Sequence, residues 1–170
     1  LITDAKDEHS EHDFGKNIIP TMLKEKKIMM SYVFKGYWKD VGTIASLHEA
    51  NMDLIEGKNI DLKEIHHRSK IYSEDSNSQP QYIGKNAIVK NSIINQGSII
   101  LGTCVQSVVS GEVEISENAY VEKCVIMPGA KINKGARVYN AIIAPDSVVN
   151  ENEILNENSK DVMLISGRRR

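Results

Sequence analysis

The chain has 170 residues, 41% hydrophobic, 26% charged and 5% aromatic, and its 21 Lys+Arg against 23 Asp+Glu give a net charge of −2. That near-neutral balance argues against a nucleic-acid-binding domain, and no apolar run approaches the ~18 residues a membrane span needs. Two cysteines, Cys104 and Cys124, are too few for a disulfide scaffold and have no metal-ligand spacing, so a soluble globular protein of the reducing cytoplasm is expected.

Leu1 to Ser10 is polar and charged, unlike the basic-then-apolar pattern of a signal peptide, and is expected to continue a longer sequence. The eleven glycines are scattered singly, with neither G-x-G-x-x-G nor G-x-x-x-x-G-K-[ST], so no phosphate-cradling loop is expected. Ile18, Ile19, Met22 and Leu23 form a short helical stripe that ends in Lys24-Glu25-Lys26-Lys27, with cations where a helix dipole favours them. Pro20 fits its first turn, where a missing N–H is harmless. Ile28 to Lys35 has the composition of a strand. After Gly36-Tyr37-Trp38-Lys39-Asp40-Val41-Gly42, residues Ile44, Leu47, Ala50, Leu54 and Ile55 predict a second helix, with Thr43 as N-cap and Gly57 as C-terminal stop. Leu62 to Gln81 is polar and reads as a linker with one short strand near Ile71-Tyr72.

From Tyr82 onward the pattern changes. Apolar residues recur every five to six positions, among them Ile100, Val109, Ile115, Val121, Ile126, Ile132, Val138, Ile143 and Val149. Segments Gln106–Val109, Lys123–Ile126 and Asn140–Ile143 lie 17 residues apart, and Asn91–Ile94 precedes them by 15. A helix repeats every 3.6 residues and a strand every two, so a six-residue beat points to the hexapeptide repeats of a parallel β-helix. Each beat is one wall of a three-sided coil, with aliphatic side chains stacked on the axis. Gly, Asn or Asp are expected at the corners, where left-handed backbone is needed. A β-sandwich would require hairpin turn pairs such as Asn-Gly, and none occurs. Cys104 and Cys124 are expected to face the coil interior.

The runs His12-Asp13-Phe14-Gly15-Lys16-Asn17-Ile18-Ile19-Pro20 and Phe34-Lys35-Gly36-Tyr37-Trp38-Lys39-Asp40-Val41-Gly42-Thr43, followed by Glu49-Ala50-Asn51-Met52-Asp53-Leu54, closely resemble bacterial glucose-1-phosphate adenylyltransferase (ADP-glucose pyrophosphorylase). The hexapeptide region is similar to that family's C-terminal left-handed β-helix. The resemblance covers nearly the whole chain but only the C-terminal part of the family's length. One departure is Asn17, where the family usually has Asp.

The resemblance implies a mainly β protein: residues 1–60 as the tail of a nucleotidyltransferase domain, 61–81 as linker and 82–170 as the left-handed β-helix. It implies a reaction of ATP with glucose 1-phosphate to ADP-glucose and pyrophosphate, in glycogen synthesis, with Mg2+ as cofactor. It also implies a homotetramer responsive to phosphorylated metabolites. Asp40 corresponds to a catalytic, metal-binding carboxylate, and Asp13, Phe14 and Trp38 to substrate-binding positions near the glucose. Mg2+ takes hard oxygen ligands, a carboxylate accepts sugar hydroxyls, and a Trp face suits a sugar's C–H surface. The plainer alternatives are helix capping for Asp13 and Asp40 and core packing for Phe14 and Trp38.

By the same resemblance the ATP loop lies upstream of these residues, so this chain alone is expected to be inactive. The rival readings are a non-catalytic regulatory paralogue, a sugar nucleotidyltransferase of different base or sugar, and a hexapeptide acyltransferase. The last is disfavoured because no histidine follows Tyr82 to serve as general base. All five histidines precede the repeats. His66-His67-Arg68 reads as solvated linker, and Arg168-Arg169-Arg170 as a disordered basic tail.

Overall fold

A computed structural model describes residues 1–58 and 77–167. The expected strand at Ile71-Tyr72, His66-His67-Arg68, most of the linker and the arginine tail lie outside the described residues. The chain forms two compact units, Leu1–Gly36 and Tyr37–Arg170.

In the first unit a 3-10 turn (Asp4–Lys6) and a π turn (Phe14–Ile18) lead into α1 (Ile19–Lys24), with Pro20 in its first turn and Lys24 in its last. Asp4 accepts hydrogen bonds from Ser10 Oγ at 2.6 Å and His12 Nδ1 at 3.1 Å, closing the N-terminal segment on itself. Of the unit's hydrophobic side chains among the described residues, only Ile18 is buried. The strand expected at Ile28–Lys35 does not form. No strand pairs with it among the described residues, and Ile28 and Met30 stand 96% and 94% exposed. Strand composition makes a strand only where a neighbour supplies the ladder partners for its N–H and C=O groups.

The second unit begins with α2 (Ile44–Glu56). Thr43 Oγ1 accepts the Ser46 N–H at 3.1 Å while Ser46 Oγ accepts the Thr43 N–H at 3.0 Å, a reciprocal cap that satisfies two otherwise orphaned donors. Gly57 ends the helix in the left-handed conformation at φ 67°. The expected stripe of Leu47, Ala50, Leu54 and Ile55 is only half-buried. The two most buried residues of the helix are polar, His48 and Asp53.

The rest is a parallel β-solenoid of short strands, three to a coil. They run β1 (Tyr82–Ile83), β2 (Ile88–Lys90) and β3 (Ile93–Ile94), then β4 (Ile99–Ile100), β5 (Thr103–Val105) and β6 (Val108–Val109). Next come β7 (Glu114–Ile115), β8 (Tyr120–Glu122), β9 (Val125–Ile126), β10 (Lys131–Ile132), β11 (Arg137–Tyr139) and β12 (Ala141–Ile143). The last coil holds β13 (Val148–Val149), β14 (Ile154–Leu155) and β15 (Met163–Ile165). Every third strand pairs, giving three five-stranded, wholly parallel sheets.

The register stacks like on like. Ile100, Ile115, Ile132 and Val149 form one interior column, Cys104, Val121, Val138 and Leu155 a second, and Val109, Ile126, Ile143 and Ile165 a third. All twelve are buried, and both cysteines lie inside as expected. The corners turn through left-handed residues that themselves form columns, such as Asn91, Gln106, Lys123, Asn140 and Asn156. Gln106, Glu112 and Lys123 depart from the expected Gly, Asn or Asp. That conformation costs roughly 1–2 kcal/mol for an ordinary L-residue. The backbone ladder offsets it at these three corners, whose N–H groups bond one coil back: Gln106 to Lys90 O at 2.9 Å, Glu112 to Gln96 O at 3.3 Å, and Lys123 to Val105 O at 3.1 Å.

Coil length varies only at corners. Ile99 pairs with Glu114, fifteen residues on, because Leu101-Gly102 alone turns a corner that Ser116–Ala119 turns in the next coil. Gly102 packs so closely there that a Cβ would collide with the carbonyl oxygens of Ser116 and Ala119.

The third sheet differs from the others in carrying an unbroken apolar column on its outer face, where the first is interrupted by Glu114 and Lys131 and the second by Lys90, Glu122 and Arg137. Ile93, Val108, Val125, Ile142 and Leu164 stack on its outer side, and α2 packs over it against β6 and β12. Val125 and Ile142 are consequently buried although they point away from the axis.

Candidate functional site

The site residues expected from sequence fall in both units. In the first, Asp13 caps the π turn: its Oδ1 accepts the Lys16 N–H at 2.7 Å. Asn17 reciprocates, its side-chain oxygen accepting the Asp13 N–H at 3.3 Å. An aspartate at position 17 could accept the same bond, so Asn17 keeps the local geometry. Asp13 is exposed, and its remaining acceptor capacity faces solvent. Phe14 is exposed as well and takes no part in a core.

In the second unit Trp38 and Asp40 stand two residues apart, both exposed, Trp38 at 76%. Neither is a core residue, and Asp40 is not the cap of α2, which is Thr43. Asp40 Oδ1 instead accepts the Gly42 N–H at 3.0 Å, a local turn that fixes the carboxylate just before the helix. The donor set fits one position on a hard divalent cation: a single exposed carboxylate, oriented by the backbone. Among the described residues no three His, Cys, Asp or Glu side chains gather into a metal cage. Mg2+ is ordinarily held by one or two carboxylates, with water and substrate phosphates completing its shell.

The intervening residues turn the other way. Tyr37 and Lys39 are half-buried, and both reach Asp53 on α2. Tyr37 Oη donates to Asp53 Oδ2 at 3.1 Å, and Lys39 Nζ donates to the same oxygen at 2.7 Å. Lys39 also meets Glu49 Oε1 at 3.0 Å, one turn earlier on the helix. Lys58 Nζ stands 3.8 Å from Asp53 Oδ1 and 2.6 Å from Glu56 Oε2. The hydrogen bond from Lys39 holds the Asp53 carboxyl below the usual aspartate range, against the opposing effect of its burial. Burial disfavours the Lys39 charge, yet its hydrogen bonds to Asp53 and Glu49 prevail and raise its pKa. Burial, followed by the hydrogen bond to Asp53, raises the pKa of Tyr37.

This clamp was not foreseen from sequence. Asp53 sits between Met52 and Leu54, and its signal was a carboxylate four residues after Glu49, a spacing that ordinarily marks a solvated helix face. The alternation of Tyr37 and Lys39 against Trp38 and Asp40, at the period of an extended segment, was the other available clue.

Comparison with known proteins divides the chain after α2 and not at Gly36. Residues 1–57 match the family described as nucleotidyl transferase, and residues 77–162 the family described as GlmU-like, C-terminal hexapeptide. A glucose-1-phosphate adenylyltransferase of Bacillus cytotoxicus is 41% identical over 168 residues, covering 98% of this chain and 44% of the relative. Those of Bacillus mycoides and Bacillus cereus are 42% identical over 169 residues, with the same coverage. The chain thus spans less than half the length of these curated relatives.

Proposed function

We propose a nucleotidyl-transfer role for this chain, which belongs to the GlmU-like, C-terminal hexapeptide family: it serves as part of a glucose-1-phosphate adenylyltransferase. The reaction joins ATP and glucose 1-phosphate into ADP-glucose and pyrophosphate, a step that feeds glycogen synthesis. The observation that carries this reading is the segment Tyr37–Thr43. Inside a chain similar to these enzymes over 98% of its length, it presents Trp38 and Asp40 to solvent while Tyr37 and Lys39 anchor it to α2.

In the transfer an oxygen of the sugar phosphate attacks the α-phosphorus of ATP. The new P–O bond forms as the bond to the β-phosphate oxygen breaks, and pyrophosphate leaves. Asp40 is the residue of this chain that would hold Mg2+, which when bound neutralises charge on the phosphoryl oxygens. In the second unit the Trp38 ring offers an apolar face suited to a sugar's C–H surface; in the first, Phe14 presents an exposed ring and Asp13 a carboxylate suited to sugar hydroxyls. We assign the solenoid to assembly, as a homotetramer, and to regulation. The enzyme is placed in the cytoplasm with its nucleotide substrate. Among the described residues no helix is long and apolar enough to cross a membrane.

The test joins this chain to the N-terminal portion of the Bacillus cytotoxicus relative and follows pyrophosphate release. Asp40→Asn should lower kcat by roughly 100- to 1000-fold, the scale of losing one charge-stabilising group, with the melting profile unchanged. The 170-residue chain by itself should make no ADP-glucose. Near-normal turnover of Asp40→Asn would remove Asp40 from the chemistry, and synthesis by the lone chain would overturn the division of labour.

A further inference from the structure

We infer that Asp53, acting through Lys39 and Tyr37, is a positioning residue for the segment that carries Trp38 and Asp40. The role given to Asp40 rests on the adenylyltransfer reading above; the anchoring itself rests on geometry alone.

Asp53 is 7% exposed, and one of its oxygens receives both Tyr37 Oη and Lys39 Nζ. A buried carboxylate with two donors on one oxygen has little freedom, because any movement that breaks a bond strands a charge away from water. Lys39 spans Glu49 and Asp53, one helical turn apart, so its ammonium is held at two points along α2. Tyr37 and Lys39 flank Trp38, and Asp40 follows Lys39 directly. Fixing the two anchored residues therefore restrains both exposed ones. The helix is itself held: His48, 6% exposed, bonds the Lys123 carbonyl at 2.6 Å, and α2 packs on β6 and β12. A continuous set of contacts thus runs from a solenoid corner through α2 to Asp40. No direct contact between Asp40 and the solenoid is required.

A merely stabilising ion pair and a positioning clamp differ in what they do to Trp38. It is the only tryptophan in the chain, so its fluorescence anisotropy reports this segment without a label. The experiment compares the 170-residue protein with Asp53→Asn, Lys39→Met and Lys39→Arg. Time-resolved Trp38 anisotropy is read beside the far-UV circular dichroism of the solenoid. The first two variants should lose the slow component of the Trp38 decay while the solenoid signal stays intact, and Lys39→Arg, which keeps donors for both carboxylates, should retain it. In the protein completed with the relative's N-terminal portion, Asp53→Asn should lower kcat about 10- to 100-fold, as loss of an outer-shell partner does, and should raise the KM for glucose 1-phosphate because Trp38 is loosened together with Asp40.

Unchanged Trp38 anisotropy in both Asp53→Asn and Lys39→Met overturns the anchor, whatever happens to turnover. A loosened Trp38 with full turnover in Asp53→Asn, while Asp40→Asn is inactive, overturns the positioning role. A loosened Trp38 with full turnover in Asp40→Asn upholds the anchor and sinks the adenylyltransfer reading instead.

Discussion

The imidazole of His48 and the backbone carbonyl of Lys123 meet at 2.6 Å, at a corner where Lys123 adopts a left-handed φ of 52°. A carbonyl only accepts, so Nε2 of His48 carries the proton and donates. The bond joins the one long helix among the described residues to a point where the solenoid backbone turns and its carbonyl has left the sheet ladder.

Replacing His48 with Ala should loosen α2 from the solenoid by about 1 kcal/mol, because a part-buried carbonyl loses its donor. Hydrogen exchange is the suitable readout. Amides of α2 should exchange faster while those of β8 to β12 keep their protection. Uniform loss of protection would mean that helix and solenoid unfold as one.

The columns make a sharp contrast between inward and outward positions. Ile126 points to the axis with no exposure, whereas Ile99 points outward and is 43% exposed. Ile126→Ala should cost about 2–5 kcal/mol, and Ile99→Ala should stay within about 0.5 kcal/mol. Denaturant titrations of the two variants measure this directly. Equal losses would contradict the stacked interior.

The cysteines give a chemical test of the same interior. Burial pushes the Cys124 thiol up to about 12 and raises that of Cys104 as well. Since the thiolate is the reactive form, neither should be alkylated by iodoacetamide at pH 8 while the protein is folded, and both should react once it is denatured. Labelling of native protein at the rate of a free thiol would place them outside the core.

Asp53 predicts an acid-sensitive component of stability. Its folded pKa lies below the ordinary 3.8 because Lys39 hydrogen-bonds the ionised form. The unfolded carboxyl, with a pKa near 3.9, takes up its proton first as pH falls. The contribution is therefore whole above about pH 4 and disappears as pH drops through the lower folded value. Denaturation midpoints of the native protein and Asp53→Asn should differ at pH 7 and converge towards pH 2. A constant gap across that range would show that Asp53 contributes no proton-linked stability.

The solenoid was legible because its interior repeats with a physical period: a wall of fixed length and a corner of fixed geometry recur whether the interior residue is Ile, Val or Cys. The caps of α2 were legible because Thr43 and Gly57 answer local backbone needs. Ile28–Lys35 was misread because a strand is a property of a pair, and β-propensity says nothing about the partner. The corner residues Gln106, Glu112 and Lys123 escaped because the ladder imposes a left-handed turn even where side-chain preference opposes it. The candidate residues Asp13, Phe14, Trp38 and Asp40 were proposed from motif alone. Asp53 and His48 were not, since polar residues on a helix read as solvated until the surface they meet is known.

The fifteen-residue coil that turns at Gly102 carries a further consequence. Each strand bonds to its counterpart one coil away, however many residues turn the corner between them; the same sheets accept coils of seventeen and, before β15, a longer excursion. Length along this molecule is thus graded in storeys rather than in amino acids. Insertions and deletions at the bends leave the floor plan untouched, while a single slip inside a wall would put every column above it out of plumb.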